Sequence, residues 1–245
     1  MIVITAARSI LFAVFFYGGT IVAGTLFLPL LLIPRRAAMP FFRSWMHYSL
    51  ACARVLLGIR YEVRFAPGAS FPEETAIYAA KHQSAWETLA FNQIIRNPVF
   101  VLKKELLRVP FFGWHLKKIG HIPVDRSGAA SAMREMIAAS KGAVADHRNI
   151  VIYPQGTRVP PGKKMPYHPG VFALYRTLGT PVVPIALNSG VLWPRTGLLR
   201  RAGKITVLIL PAIPPGLDRA AFMSRLEQDI EGACATLDVS KTACG

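Results

Sequence analysis

The chain has 245 residues, which is enough for one sizeable domain with a buried core and an appendage, but a tight fit for two full domains. Its formal net charge of +16 predicts an anionic partner such as nucleic acid, a membrane surface or a phosphorylated substrate. A mean hydropathy of +0.35 with 52% hydrophobic residues is unusual for a soluble nucleic-acid-binding protein. The composition therefore favours membrane lipid and argues against nucleic acid.

The first element in the chain is a long apolar segment. From Ser9 to Ile33 there is no charged residue, and a helix of that length is about 37 Å long, more than the hydrocarbon core of a bilayer. The segment is predicted to lie in a membrane. Whether it crosses or bends into a re-entrant pair with the following segment is left open by four helix-breaking residues: Gly18, Gly19, Gly24 and Pro29.

Arginines follow the apolar segment directly. Arg35 and Arg36 lie at its carboxyl end, and the positive-inside rule then places most of the chain in the cytoplasm, at the inner membrane if the protein is bacterial. The next stretch, Met39 to Gly58, is apolar with aromatic residues and two further arginines. This pattern favours a helix lying at the membrane interface, and the alternative is an ordinary core helix.

After Ile59 short apolar runs alternate with helix-like stretches, which predicts an α/β fold with a mixed, largely parallel sheet flanked by helices. We therefore divide the chain into N-terminal membrane-associated helices, 1–59, and an α/β domain, 60–245. The predicted strands are 61–65, 75–80, 98–102, 149–154, 181–187 and 204–210. The predicted helices are 85–96, 129–146, 171–178 and 219–236.

The stretch AAKHQSAWET, residues 79–88, has two interpretations. Residues five apart on a helix are separated by about 140°, so His82 and Glu87 can meet only if the chain turns between them, as a strand end followed by a helix start would allow. They would then form a catalytic His–carboxylate pair. The alternative is a capping box, in which Ser84 caps the helix and Glu87 reaches back to its N–H.

Basic residues are concentrated in two later segments. Val101 to Arg126 carries six of them against two acids, which suits phosphate groups or an anionic bilayer: Lys103, Lys104, Arg108, Lys117, Lys118 and Arg126. The run YPQGTR follows a strand, and Gly156 permits a tight turn that would hold Arg158 for bidentate capture of a phosphate. A solvent-exposed loop arginine is the alternative for Arg158.

Cysteine and histidine positions predict neither a disulfide framework nor a metal site. Three cysteines lie far apart and indicate a reducing compartment: Cys52, Cys234 and Cys244. No two histidines have helical ligand spacing beside a third acid or thiol, so no zinc site is expected.

Four blocks taken together resemble the 1-acyl-glycerol-3-phosphate acyltransferases of the glycerolipid acyltransferase family. That family is marked by His-x-x-x-x-Asp, a block ending in Asp-Arg, Glu-Gly-Thr-Arg and a Pro-rich apolar strand. The corresponding blocks here are His82 to Glu87, GHIPVDR at 120–126, QGTR at 155–158 and PVVPIAL at 181–187. The chain departs at two positions, because Glu87 replaces the family's Asp and Gln155 replaces its Glu.

The resemblance implies transfer of a fatty acyl group from a thioester of coenzyme A or acyl carrier protein to the 2-hydroxyl of lysophosphatidic acid. His82 would be the general base and Glu87 would orient it. The acceptor phosphate would be bound by Arg158, Arg126, Lys103 and Lys104, with Gly156 and Thr157 supporting the turn. No cofactor beyond the thioester co-substrate is implied.

Two alternatives remain at this level. The first is an acyltransferase whose acceptor is another lyso-lipid, such as lyso-ornithine lipid or a different lysophospholipid. The second is a non-catalytic membrane protein that binds anionic lipid through its lysines and arginines. In the second case Ser84 and Glu87 only cap a helix.

Overall fold

The structure is a computed structural model that describes residues 2–125 and 129–239. Cys244 and Arg126 therefore lie outside the described residues. Seven strands form one sheet in the order β1-β7-β6-β2-β5-β3-β4, and every neighbouring pair is parallel except β6 and β7. The strands are β1 (Ile59–Phe65), β2 (Ile77–Ala80), β3 (Pro98–Lys103), β4 (Ile122–Val124), β5 (Asn149–Ile152), β6 (Val182–Leu187) and β7 (Gly203–Ile209).

Helices cover both faces of the sheet, and the predicted mixed, largely parallel α/β fold is confirmed. The helices are α1 (Ile2–Leu26), α2 (Arg35–Cys52), α3 (Trp86–Ile94), α4 (Phe112–Ile119), α5 (Ala129–Ala145), α6 (Gly170–Leu178), α7 (Ser189–Leu192) and α8 (Arg219–Val239). Short 3-10 turns cover Leu28–Leu31 and Lys104–Arg108, and a π-helical turn, Ala53–Leu57, extends α2. Strand β4 and helix α4 have no counterpart among the predicted elements.

The central strands are apolar because both faces of the sheet are covered. Every residue of β2, β5 and β6 is buried, as is typical of strands buried between two helical layers. Helices α2 and α3 pack on one face, where Phe42, Trp86 and Phe91 are buried. Helices α5, α6 and α8 pack on the other face around Tyr175 and Phe222, whose rings stack at 4.1 Å.

Helices α1 and α2 form a hairpin. The Tyr48 hydroxyl donates to the carbonyl of Phe15 at 3.2 Å, and Phe27 contacts Phe42 across the turn. One face of α2 is buried in the core while Phe41 and Tyr48 stay exposed, so α2 combines features of the interfacial helix and of the core helix. The division of the chain at residue 59 stays a prediction, although β1 begins there.

Helix α1 is mostly exposed and strongly apolar. Among the described residues it is the one helix long and apolar enough to cross a membrane, with a mean hydropathy of 1.8 and 11% of that window buried. Its exposed side chains include Ile10, Val14 and Ile21. Large apolar side chains in water are unfavourable, so this surface supports membrane association.

The parallel strands bring several loops to one edge of the sheet. β2, β3, β5 and β6 all end at this edge, where ligands of open parallel sheets commonly bind. His82 follows β2, Arg158 lies after β5, and Ser189 follows β6. Residues far apart in the sequence therefore meet at one site.

Candidate active site

The loop between β2 and α3 contains a helix cap. The Trp86 N–H donates to Ser84 Oγ at 3.1 Å, and the Ser84 N–H donates to Glu87 Oε1 at 2.7 Å. These bonds satisfy amide groups that the first turn of α3 cannot satisfy internally. The capping role predicted for Ser84 and Glu87 is therefore observed.

The same loop also forms the His–carboxylate pair. His82 Nδ1 lies 2.8 Å from Glu87 Oε1, the oxygen that accepts from the Ser84 N–H. An ionised carboxylate only accepts hydrogen bonds, so we assign the proton to Nδ1, which leaves Nε2 on the opposite side of the ring with a free lone pair. The Glu87 side chain is fully buried and that of His82 is 15% exposed. The cap and the pair are one arrangement and not alternatives.

Glu87 is held at both carboxylate oxygens. Oε1 also accepts from the Gln83 N–H at 2.7 Å, and Oε2 accepts from the Ser189 hydroxyl at 2.7 Å. Ser189 begins the short helix α7 after β6. Hydrogen bonds to a buried carboxylate from several directions fix its orientation, and through it the orientation of the imidazole.

Tyr153 supports the other side of the imidazole. Its ring stacks on the His82 ring with centroids 3.9 Å apart and planes 14° apart. Burial, together with the charge of Glu87, raises the pKa of Tyr153 well above its ordinary value, so the phenol stays neutral. Within the described chain its buried hydroxyl has no hydrogen-bond partner, which indicates that the ring face is the part of Tyr153 that matters here.

The QGTR block forms the expected turn after β5. Gly156 adopts φ +65°, and its N–H donates to the carbonyl of Tyr153 at 2.8 Å. The turn is joined to the loop between β2 and α3, because the Val159 N–H donates to the carbonyl of His82 at 2.7 Å. Arg195 donates to the carbonyl of Arg158 at 2.9 Å and holds the backbone from the outside. Arg158 and His82 thus belong to one connected unit.

A second contact closes the same unit. The Gly190 N–H donates to Gln83 Oε1 at 3.0 Å, and a Cβ at position 190 would lie 2.8 Å from Pro161 and 2.9 Å from Gln83. A larger residue at position 190 would therefore push apart the loops that follow β2, β5 and β6. This position requires glycine for close approach.

The other predicted phosphate ligands lie farther along the edge of the sheet. Lys103 is exposed at the end of β3, and Lys104 is exposed and pairs with Asp125 at 3.5 Å. Arg126 was predicted as a ligand and lies outside the described residues. The structure brings together His82 and Glu87 with the turn of Arg158.

Sequence reasoning did not find Ser189, Tyr153 or Gly190. Ser189 lies 102 positions from Glu87, and no local pattern connects the two. Tyr153 lies beside the QGTR block and was quoted with it, but its stacking on His82 depends on the adjacency of β2 and β5. In the described ranges no three His, Cys, Asp or Glu residues lie together in a way that could hold a metal ion.

Comparison with known proteins identifies the family. The profile of the family described as Acyltransferase matches residues 62–188, from β1 to the residue after β6. A curated 1-acyl-sn-glycerol-3-phosphate acyltransferase of Pseudomonas aeruginosa is 36% identical over 233 residues, covering 94% of this chain and 90% of that protein. The chain belongs to the acyltransferase family.

Two further acyltransferases extend the comparison. A 1-acyl-sn-glycerol-3-phosphate acyltransferase of Cocos nucifera is 27% identical over 65% of this chain, and the chain spans about half of that longer protein, 53%. The crystal structure of the 1-acyl-sn-glycerophosphate acyltransferase of Thermotoga maritima matches with a TM-score of 0.71 and 20% identity, over 97% of this chain and 95% of that one. At 20% identity, the likeness to the Thermotoga maritima structure supports the fold alone.

Proposed function

We propose that this acyltransferase transfers a fatty acyl group from an acyl thioester to the free 2-hydroxyl of 1-acyl-glycerol-3-phosphate, which gives phosphatidic acid for phospholipid synthesis. The observation that carries the proposal is the 2.8 Å contact between His82 and Glu87, joined through Val159 to the turn of Arg158. The relatives from Pseudomonas aeruginosa and Cocos nucifera are both 1-acyl-sn-glycerol-3-phosphate acyltransferases, which supports this acceptor. A phosphorylated alcohol acceptor requires a base for its hydroxyl group and an anion-binding side chain for its phosphate.

The chemistry begins at His82 Nε2. An alcohol is a poor nucleophile at neutral pH, so Nε2 accepts the hydroxyl proton while the oxygen attacks the thioester carbonyl, an effect worth about 10²–10⁴-fold. The tetrahedral intermediate then collapses, the carbon–sulfur bond breaks, and the imidazolium returns its proton to the leaving thiolate. Glu87 stabilises the imidazolium throughout. The chain needs no nucleophile of its own.

Arg158 serves the acceptor. Its guanidinium presents paired N–H donors that match the oxygens of a phosphate. Binding the phosphate beside His82 converts an encounter into a positioned reaction and reduces its entropic cost. Lys103 and Lys104 add positive charge along the same edge of the sheet, where an anionic headgroup approaches.

The membrane position follows from α1. Its amino end contacts the α/β part through Ser9 Oγ, which accepts from the Arg200 N–H at 3.0 Å, and its carboxyl end through Gly24, whose carbonyl lies 2.9 Å from His115 Nε2. These two attachments favour a helix that lies along the membrane surface, and we propose this position over a membrane crossing. The exposed side chains of Phe111, which precedes α4, and of Trp114, which lies in α4, extend this apolar face.

We propose that this face lies on the cytoplasmic side of an anionic membrane, because Arg35 and Arg36 directly follow the apolar segment. Protease treatment of sealed vesicles tests the sidedness. Cleavage of the α/β part is expected only when the cytoplasmic surface is accessible, and cleavage from the opposite surface alone would contradict the placement.

The test of function is an acyl-transfer assay on the purified protein in detergent. Acyl-CoA and acyl carrier protein thioesters are each offered with lysophosphatidic acid, lysophosphatidylcholine and lyso-ornithine lipid. Formation of phosphatidic acid from lysophosphatidic acid, in excess over the other products, is the expected result. Acylation of another acceptor in preference, or of none with either donor, would contradict the proposal.

A further inference from the structure

A buried ion pair lies directly behind the catalytic loop. Lys81 Nζ contacts both carboxylate oxygens of Glu231 at 2.7 Å, and the two side chains are only 2% and 8% exposed. The Tyr167 hydroxyl donates to Glu231 Oε1 at 2.9 Å, and Gln155 Nε2 donates to the same oxygen at 3.4 Å. Burial, followed by the charge of Glu231, raises the pKa of Tyr167, so its hydroxyl stays protonated and donates.

Such a group is costly unless every charge is compensated. A buried ammonium loses its hydration and requires a partner of opposite charge with good geometry. Lys81 obtains two bonds from Glu231 and a third from the carbonyl of Lys163 at 3.2 Å. Glu231 is the one carboxylate that the described chain places on Lys81. The ammonium therefore depends on helix α8, which is otherwise remote from the catalytic loop.

The members of this cluster are neighbours of the site residues along the chain. Lys81 precedes His82, and Gln155 lies between Tyr153, which stacks on the His82 ring, and Arg158. The backbone N–H of Lys81 is held by the carbonyl of Ile185 at 3.0 Å, so its side chain anchors the end of β2 from one further direction. Glu231 thus contacts the segment that carries the base and the segment that carries the phosphate ligand.

We propose that Glu231 is a positioning residue of the active site, whose carboxylate holds Lys81 and Gln155 so that His82 and Arg158 keep their relative placement. The inference rests on the proposed function, since it assigns His82 and Arg158 to base and acceptor binding. In this role Glu231 acts through its contacts with Lys81 and Gln155 and not by contact with the substrate.

Gln155 is a neutral member of this cluster, so the negative charge that compensates Lys81 comes from Glu231 on α8. Its amide is buried and neutral, and its Oε1 has no partner in the part of the chain that the structure describes. A carboxylate at position 155 would lie beside the Lys81–Glu231 pair, because the Gln155 amide already contacts Glu231 at 3.4 Å and Glu231 contacts Lys81. The negative charge is therefore expected to be transferable between positions 231 and 155.

The experiment compares Glu231→Gln with the double variant Gln155→Glu/Glu231→Gln, which moves the charge without changing its amount. Glu227→Gln, one helical turn earlier on α8, is the matched control for loss of a carboxylate from that helix. For each protein kcat and the KM for lysophosphatidic acid are measured per folded molecule, with the melting temperature recorded in detergent. Activity of the parent on lysophosphatidic acid is established first, and its absence would refute the proposed function and not this inference.

Glu231→Gln is expected to lower kcat/KM about 10- to 100-fold through both a lower kcat and a higher KM, because small displacements of positioned groups have effects of that size. The double variant is expected to recover most of the loss, and Glu227→Gln to match the parent. A purely structural role would lower the melting temperature and leave kcat and KM per folded molecule unchanged, which would overturn the proposal.

Tyr167→Phe provides a milder variant if Glu231→Gln does not fold. It removes one hydrogen bond to Glu231 and retains the shape of the ring. A raised KM with a folded protein is expected, and a KM and kcat equal to those of the parent would overturn the proposal.

Discussion

Ser189 donates a 2.7 Å hydrogen bond to Glu87 Oε2, joining the first residue of α7 to the first turn of α3 across 102 positions of sequence. This bond fixes the carboxylate oxygen that does not contact His82. Together with the backbone donors on Oε1, it leaves Glu87 a single orientation towards the imidazole. The pair of His82 and Glu87 is thus supported by two separate loops of the sheet edge, those that follow β2 and β6.

Ser189→Ala is expected to lower kcat about 10- to 100-fold, because the loss of a hydrogen bond to a buried charged group costs about 1.5–3 kcal/mol. Steady-state kinetics in detergent give the measurement. Ser224→Ala on the exposed face of α8 is the control for removing a serine hydroxyl. A Ser189→Ala protein with the parent's kcat would show that Glu87 is oriented without this bond.

Tyr153→Phe is expected to keep both the activation free energy of the reaction and the free energy of unfolding within about 1 kcal/mol of the parent, because the buried hydroxyl has no partner among the described residues. Tyr153→Leu is expected to reduce kcat, since the aromatic face that stacks on His82 is lost. The pair is compared by activity and thermal melting. Equal activity of both variants would exclude a role for the stacking.

Arg158→Ala is expected to raise the KM for lysophosphatidic acid about 10- to 100-fold, which corresponds to one charge-assisted contact with a phosphate. Arg158→Lys is expected to be intermediate, because an ammonium lacks the paired donors of a guanidinium. Monoacylglycerol, which has no phosphate, is the matched acceptor. If Arg158→Ala impairs acylation of monoacylglycerol as much as acylation of lysophosphatidic acid, Arg158 does not bind the acceptor phosphate.

His121 predicts a pH dependence of stability. Burial, followed by the charges of Arg148 and Arg35, lowers its pKa to about 3 from 6.5. His121 is therefore protonated below about pH 6.5 in the unfolded state, but only below about pH 3 in the folded state. The stability contributed by the neutral ring is fully present above pH 6.5 and is lost as the pH falls, at about 1.4 kcal/mol per pH unit.

His121→Asn removes this titration while keeping an acceptor for the Phe100 N–H, which donates to His121 Nδ1 at 3.2 Å. The melting temperature measured between pH 5 and pH 7 is expected to vary less steeply in the variant than in the parent. His147→Asn, at an exposed position, is the control. Identical slopes in parent and His121→Asn would refute the assignment.

The sequence predicted the fold and the centre of the site for local reasons. Strands β2, β5 and β6 are apolar throughout because they are covered on both faces, and the Ser84 to Glu87 spacing specifies the helix start that brings His82 and Glu87 together. Both signals lie within a few neighbouring residues. Pattern reasoning detects signals of this kind.

The remaining features depend on contacts between distant segments. In the sequence, Glu231 is not distinguishable from the other charged residues of an amphipathic helix. The packing of α8 on the sheet is what brings its carboxylate to Lys81. Strand β4 has three residues, too few for a period to be recognised. Helix α4 lies within a basic, aromatic segment in which Phe112 and Trp114 stay exposed, so its pattern differs from that of a core helix.

The most direct test of the central claim, that His82 and Glu87 are a catalytic pair and more than a helix cap, is kcat for His82→Ala, Glu87→Gln and Ser84→Ala on lysophosphatidic acid. Ser84→Ala removes the Trp86 cap bond alone and is expected to cost about 1 kcal/mol of stability with kcat unchanged. His82→Ala is expected to lower kcat about 10²–10⁴-fold, and Glu87→Gln to lower it strongly in a folded protein. If His82→Ala and Glu87→Gln lose no more activity than Ser84→Ala, the loop is a helix cap and the base lies elsewhere.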